Sequence, residues 1–277
     1  MRVAVVTDSA SNLPREVIAE HGIHVVPMIL KFGEEVLYDG VDLDVQDFYR
    51  RLVDEQVPAS TSAPSAGDYR DVFERALADA DVTVCVTVAS FLSVSHEAAV
   101  QAAASFGERV RVVDSGSASL GEGLAVLEAA RAASDGAGAD QVAARAADVA
   151  SRTAFVATID TFEFLRRGGR VNALMAYAAT TLNIKPVFAV RGGKVEQLGR
   201  PRTRARALDR IVEEVRRGAG HGRPRIGVAH ANCAEEAAAL AERLRAEFDP
   251  KETLVSAFTP LMGAHTGPGV LGVAFWR

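Results

Sequence analysis

The sequence predicts an α/β protein in two domains: a three-layer α/β/α unit on a parallel sheet over residues 1–152, then a two-layer unit on a mixed sheet over residues 153–277. Three observations lead there. Short apolar runs alternate with amphipathic stretches through the first half, the pattern of repeated βα units. The segment Gly136-Ala137-Gly138 interrupts that alternation. Further on, two strand-like runs flank Gly192-Gly193, a two-residue turn that needs positive φ and therefore joins antiparallel strands.

Each element has a local reason. Residues 3–6 form a first strand, after which Asn12 is placed to cap a short helix with Pro14 near its first turn. Residues 25–30 are a second apolar run. Asp44 caps an amphipathic helix to about residue 53, and Ser65 caps another over 69–80 with Asp68 and Asp71 in its first turn. A strand over 82–88, a helix over 97–106, a strand over 110–113 and a helix over 120–134 continue the alternation. Asp140 starts a helix to about residue 152. The second half reads as a strand over 154–159, a basic glycine turn over 166–170 and an uncharged stretch over 172–184. After it come the 185–200 hairpin, a helix over 204–217, a strand over 225–230, a helix over 234–247, a strand over 253–259 and a final strand over 270–275. Between those last strands lies a small-residue, glycine-rich loop that contains His265.

Bulk properties narrow the function classes. The net charge of −5 does not favour nonspecific binding to nucleic acid or acidic membrane. The arginines of 200–210 read as a solvated helix start. Two cysteines, Cys85 and Cys233, cannot form a disulfide framework, and Cys85 lies within a strand run as a small buried hydrophobe. No ligand spacing suggests a metal. The chain begins at once with a strand, and no apolar run is long enough to span a bilayer, so the cytoplasm is the expected location.

The chemistry resides in loops crowded with Ser and Thr. Three of them directly follow strand runs: Thr7-Asp8-Ser9-Ala10-Ser11, Ser90-Phe91-Leu92-Ser93-Val94-Ser95 and Asp114-Ser115-Gly116-Ser117-Ala118-Ser119. A fourth, Ser60-Thr61-Ser62-Ala63-Pro64-Ser65, opens a helix. The carboxyl ends of parallel strands line the ligand crevice of such sheets, and hydroxyls with backbone N–H groups make a neutral site for an anion. No phosphate-binding glycine loop and no Gly-x-Ser-x-Gly elbow is present. A carboxylate held by a few neutral donors and an imidazole fits better, with the uncharged stretch 172–184 as the wall of an apolar tunnel; Met175, Leu182 and Ile184 are its candidate lining. Two other readings stay open from the residues. One is an acyl hydrolase or transferase that pairs Ser93 or Ser95 with His265 or His96. The other is a nonenzymatic interaction module with a vestigial pocket.

The chain resembles the DegV family from its first strand to its last. The matching segments are Val5-Val6-Thr7-Asp8-Ser9 with Leu13-Pro14, Thr61-Ser62-Ala63-Pro64-Ser65, Val113-Asp114-Ser115, Leu165-Arg166-Arg167-Gly168-Gly169-Arg170-Val171, Leu182-Asn183-Ile184-Lys185-Pro186, Arg202-Thr203-Arg204 and Gly263-Ala264-His265-Thr266-Gly267-Pro268-Gly269. The resemblance implies a long-chain fatty acid held between two domains. It also implies a noncatalytic subunit of bacterial fatty acid kinase, which presents the carboxylate to a separate ATP-dependent kinase for acyl phosphate and phospholipid synthesis. On that basis Thr61, Ser93 and His265 hold the carboxylate, with Ser62, Val94 and Thr266 close by, and Arg170 and Arg202 face the kinase or brace the site. No cofactor is implied beyond the fatty acid as ligand, and transient membrane contact is compatible with its delivery. Where the family usually has Leu-Ser-Gly-Thr-Tyr, this chain has Leu92-Ser93-Val94-Ser95-His96. Valine disfavours positive φ, so a family glycine in that conformation would require a rearranged loop here.

Overall fold

The computed structural model describes residues 1–169 and 184–277. Four parallel strands form the first sheet in the order β2-β1-β6-β7: β1 (Val3–Asp8), β2 (His24–Val26), β6 (Val82–Thr87) and β7 (Val110–Asp114). Alternation along these strands divides the core. Val6, Val26 and Cys85 pack with Tyr69, Val72 and Phe73 of α3 (Ala66–Ala78) and Ala99 of α4 (Ser95–Ala103). Val5, Val84 and Val86 face the other way, toward Leu124 of α5 (Leu120–Ser134) and Val142 and Val149 of α6 (Ala139–Arg152). This is the expected three-layer arrangement.

The second sheet is mixed and six-stranded: β10 (Lys194–Gly199), β9 (Val187–Arg191), β8 (Ala154–Thr158), β13 (Leu271–Trp276), β11 (Arg225–His230) and β12 (Glu252–Ala257), in that order. Only β11 and β12 run parallel; the other neighbours are antiparallel. The hairpin β9–β10 turns at Gly192 and Gly193, both at positive φ (56° and 69°), as their sequence requires. Val156, Ala189, Ile226 and Val273 bury one face against α8 (Arg204–Ala219) and α9 (Ala234–Phe248). Phe155, Ala157, Val190 and Ala274 bury the other in the same core cluster as α5 and α6. Helix α5 is therefore packed between the two sheets and is buried from Leu120 to Ala130.

Several local expectations hold in detail. Ser65 and Asp68 form a reciprocal capping box at the start of α3, which begins at Ala66. Asp44 accepts from the Asp47 backbone N–H at the start of α2 (Val45–Tyr49), which continues as a wider turn through Arg50–Asp54. Among the arginines of 200–210, Arg204 pairs with Glu236 and Asp160, and Arg210 with Glu213 and the buried Glu214.

Three expectations need correction. Asn12 does not cap the following helix. It sits in the left-handed region (φ 54°) at the end of a short turn over Ser9–Ser11, and its amide donates to the Ala257 carbonyl at 3.3 Å. Asparagine tolerates that backbone where most residues do not; α1 (Arg15–Glu20) begins behind Pro14 with no side-chain cap. The apolar run 25–30 is not one strand. It breaks at Pro27-Met28, and β3 (Ile29–Phe32) joins a separate antiparallel sheet with β4 (Glu35–Tyr38) and β5 (Ala59–Ser62). Thr61 and Ser62 thus lie on a strand rather than in a loop. Finally, His265 is not in a loop but on α10 (Pro260–Thr266), a short helix with Pro260 at its first position and Gly267 (φ 70°) just past its end.

Candidate functional site

The loops that follow β1, β6 and β7 are tied to one another. The Ser119 N–H donates to the Ala10 carbonyl at 2.9 Å, and the Ala89 N–H to the Ser117 carbonyl at 2.8 Å. Their central anchor is Asp8. Its carboxylate accepts from the N–H groups of Ala10 and Val88 (both 3.1 Å) and from the hydroxyls of Ser95 (3.0 Å) and Tyr69 (3.2 Å). Burial still raises its pKa above the ordinary carboxylate value, because these neutral donors only partly offset the loss of water. Glu122 on α5 lies nearby and accepts from the Thr7 hydroxyl at 2.9 Å. Burial, then the neighbouring Asp8, push its pKa far up. Ser9 and Ser115 serve this framework. Ser9 Oγ accepts from the Met28 N–H, while Ser115 Oγ accepts from the Ser117 N–H and donates to the Ser117 carbonyl.

Above the framework an apolar cavity of about 120 Å³ lies between the two sheets. Its polar end brings together most of the residues singled out in the sequence. Thr61 of β5 and His265 of α10, 204 positions apart, share a hydrogen bond of 2.7 Å between Oγ1 and Nε2. Ser62, Ser93 and Thr266 line the same cavity. Ser93 Oγ accepts from the Ser95 N–H at 3.2 Å, so its own O–H is left to donate into the cavity. Thr266 contributes contact rather than a donor, since its hydroxyl is bonded to the Met262 carbonyl at 2.8 Å. No lysine or arginine is among the described residues that line the cavity.

Two supports fix this polar end. Asp39, nearly fully buried, accepts from the Leu261 N–H at 2.9 Å at the start of α10. Burial raises its carboxyl pKa to about 6 against the hydrogen bonds it receives. Gly168, at the end of α7 (Glu163–Arg167), lies directly against the imidazole: a Cβ there would fall 2.4 Å from His265 Nδ1. The rest of the cavity is hydrocarbon. Met28, Phe258, Leu261 and Val270 contribute to it, and Phe155, Ala157, Phe188, Val190 and Val195 are presented by the mixed sheet.

Other candidates fall elsewhere. Val94 does not line the cavity; its side chain is 68% exposed at the start of α4, with φ −76°. Valine therefore meets no strain in this loop. Ile184 is half-buried and is not among the lining residues, and Arg202 is exposed ahead of α8. Arg170, Met175, Leu182 and nearly all of the uncharged stretch lie outside the described residues. Ser95 is buried and bonded to Asp8 and Tyr69, and His96 is bonded to Thr87 at 3.0 Å, so neither forms a serine–histidine pair with the other. Sequence reasoning missed Asp39 and the sheet residues Phe155, Ala157, Phe188 and Val190. Alternation of larger side chains along 154–158 and 187–191 was the available signal for the latter. Asp39 offered none, because its partner Leu261 is 222 positions away.

This site coincides with a known family. The model of a family described as "Uncharacterised protein, DegV family" matches residues 2–277. A DegV domain-containing protein of Streptomyces coelicolor is 36% identical over 273 residues, spanning 98% of this chain and 97% of that protein. One of Mycobacterium tuberculosis is 35% identical over 279 residues, spanning 99% and 96%. Among solved structures, the one reported as fatty acid binding of a DegV family protein from Thermus thermophilus superposes with a TM-score of 0.93 at 32% identity over 100% of both chains. DegV, a fatty acid binding protein from Bacillus subtilis, gives 0.91 at 28% identity, again over 100% of both. The chain belongs to the DegV family.

Proposed function

We propose that this protein binds a long-chain fatty acid with its chain in the apolar cavity and its carboxylate at Thr61, Ser93 and His265, where the units 1–152 and 153–277 meet. The observation that carries this reading is the Thr61–His265 hydrogen bond at the mouth of a cavity otherwise walled by hydrocarbon. The Thermus and Bacillus structures, reported as fatty acid binding, support it. Energetics divide the work. A dozen or so buried methylenes contribute on the order of 10 kcal/mol, at about 0.8 kcal/mol each. Hydrogen bonds to the carboxylate add about 1.5–3 kcal/mol apiece. The chain thus drives affinity and the donors fix which end is presented.

The donors are neutral hydroxyls and an imidazole rather than a guanidinium fork. They orient the carboxylate without locking it into a bidentate ion pair, the stronger of the two arrangements. A carboxylate oxygen so held remains a nucleophile. In this reading a separate ATP-dependent kinase docks at the polar end, with Arg202 among the facing cations. The carboxylate oxygen displaces ADP from the γ-phosphorus, yielding acyl phosphate for phospholipid synthesis. This chain supplies positioning, and the kinase supplies the phosphoryl chemistry. The cytoplasm, with transient membrane contact for exchange of the acid, is where the two would meet.

Mass spectrometry of freshly purified, denatured protein tests the binding. A stoichiometric long-chain fatty acid is expected. Protein that carries no lipid and takes up neither palmitate nor oleate would contradict it. Formation of acyl phosphate only when kinase, ATP and this protein are all present tests the division of labour.

A further inference from the structure

One side chain of the cavity lining sits where glycines make room for it. Strand register places Phe155 of β8 opposite Val190 of β9, and Val190 opposite Val195 of β10, so the three form a cross-strand row. Ala157 and Phe188 form the neighbouring row on the same face. All five line the cavity. The Ala157 row is the one nearer the polar end: Thr158 pairs with Leu271, directly after Val270 and close to the chain leaving α10. Phe155 lies two residues behind Ala157, about 7 Å along the strand at about 3.3 Å per residue, and its ring leans back over Gly272, the residue that pairs with Ala157.

The Phe155 ring has nowhere to retreat. On β13 it rests over Gly272, where a Cβ would fall 2.6 Å from the ring, and on α5 its own Cβ lies 3.1 Å from the place a Cβ on Gly121 would occupy. The missing side chain of Gly272 leaves the slot the ring fills, Gly121 lets the Phe155 Cβ approach α5, and the residue is 4% exposed. Behind the ring is the packed seam between α5 and the mixed sheet.

We infer that Phe155, seated on Gly272 and Gly121, is the floor that sets how long an acyl chain the cavity accepts. This rests on the fatty-acid reading above and adds the specificity determinant to it. A shorter side chain joins the slot to the cavity and admits longer acids. A bulkier one, or a side chain on Gly272 that lifts the ring, shortens it.

The test is equilibrium binding of a homologous series of saturated acids, from decanoate to docosanoate, to the purified, delipidated protein. Affinity should rise about fourfold per methylene while added methylenes are buried, then level off. The chain length at the plateau is the readout. Phe155→Ala should level at a longer acid than wild type, and Phe155→Trp and Gly272→Ala at a shorter one. Thr61→Val should lower affinity across the series without moving the plateau. Should Phe155→Ala not fold, Phe155→Leu and Phe155→Trp make the same comparison. An unmoved plateau in folded Phe155 variants, beside a wild type that binds the series, overturns the floor alone. A wild type that binds none of the acids removes the fatty-acid reading, and the floor with it.

Discussion

Asp8 and Glu128 are both buried carboxylates, one beneath the polar end of the cavity and the other in the seam between α5 and the mixed sheet. Burial alone would raise both pKa values. Asp8 is surrounded by neutral donors, and its pKa is raised. Glu128 faces Arg131 at 2.8 Å, Arg145, and Arg225 at 3.2 Å. There burial is outweighed by the guanidinium groups, and the pKa is lowered. Arg145, Arg152 and Arg225 also stack within 4.8–5.4 Å of the Trp276 ring. The seam is an ionic clamp between the sheets, whereas the site end is a neutral hydrogen-bonded scaffold. With both groups buried, the neighbours set the direction of the shift.

The largest effect should come from breaking the clamp. Glu128→Ala leaves several guanidinium groups without their shared carboxylate and should cost about 3–5 kcal/mol in urea unfolding. Asp8→Asn orphans no charge and should cost less, about 1–3 kcal/mol; the reverse order would break the comparison. The next prediction concerns pH. Asp39 has a folded pKa of about 6 against 3.8, so between these values the folded state binds more protons than the unfolded one. Stability from this group therefore falls as pH rises from about 4 to 6, by on the order of 3 kcal/mol. Glu128, with its lowered pKa, contributes stability above its unfolded pKa of 4.5 and loses it as pH falls. Asp39→Asn should flatten the first trend and leave the second, as read by unfolding midpoints across that range.

Smaller effects sharpen the picture at the ligand. Thr61→Val keeps shape and removes the donor, so fatty acid affinity should fall by roughly tenfold or more, from the loss of about 1.5–3 kcal/mol, with little change in stability. Gly168→Ala forces the His265 imidazole aside and should weaken binding in the same direction, measurable by titration calorimetry. Val94→Ala should do least, within about 0.5 kcal/mol in stability and with unchanged binding, because the side chain is in solvent.

Much of this was legible in the sequence where the cause is local. The βα alternation, the Ser65 cap and the Gly192-Gly193 hairpin each follow from residues within a few positions of one another. Thr61, Ser62, Ser93 and His265 were marked as one constellation by a family resemblance, and their juxtaposition in the structure agrees with it. What stayed hidden was set by distant partners. Strand β4 carries only the three-residue apolar run Val36-Leu37-Tyr38, of which Val36 and Tyr38 face solvent, so it is too short to announce a strand. Helix α10 was obscured by its small residues, although Pro260 at its start and Gly267 after its end were the available signs. The seat of Phe155 depends on glycines at positions 121 and 272, which pattern alone does not connect.

In the proposed reading, Thr61 and His265 hold a carboxylate at the mouth of a hydrocarbon cavity. Its most direct test compares a long-chain fatty acid with its methyl ester for binding to wild type and Thr61→Val. The account predicts that wild type prefers the acid and that Thr61→Val loses most of that preference while still binding the ester. Equal affinity of wild type for acid and ester, or a preference that Thr61→Val leaves intact, would contradict it.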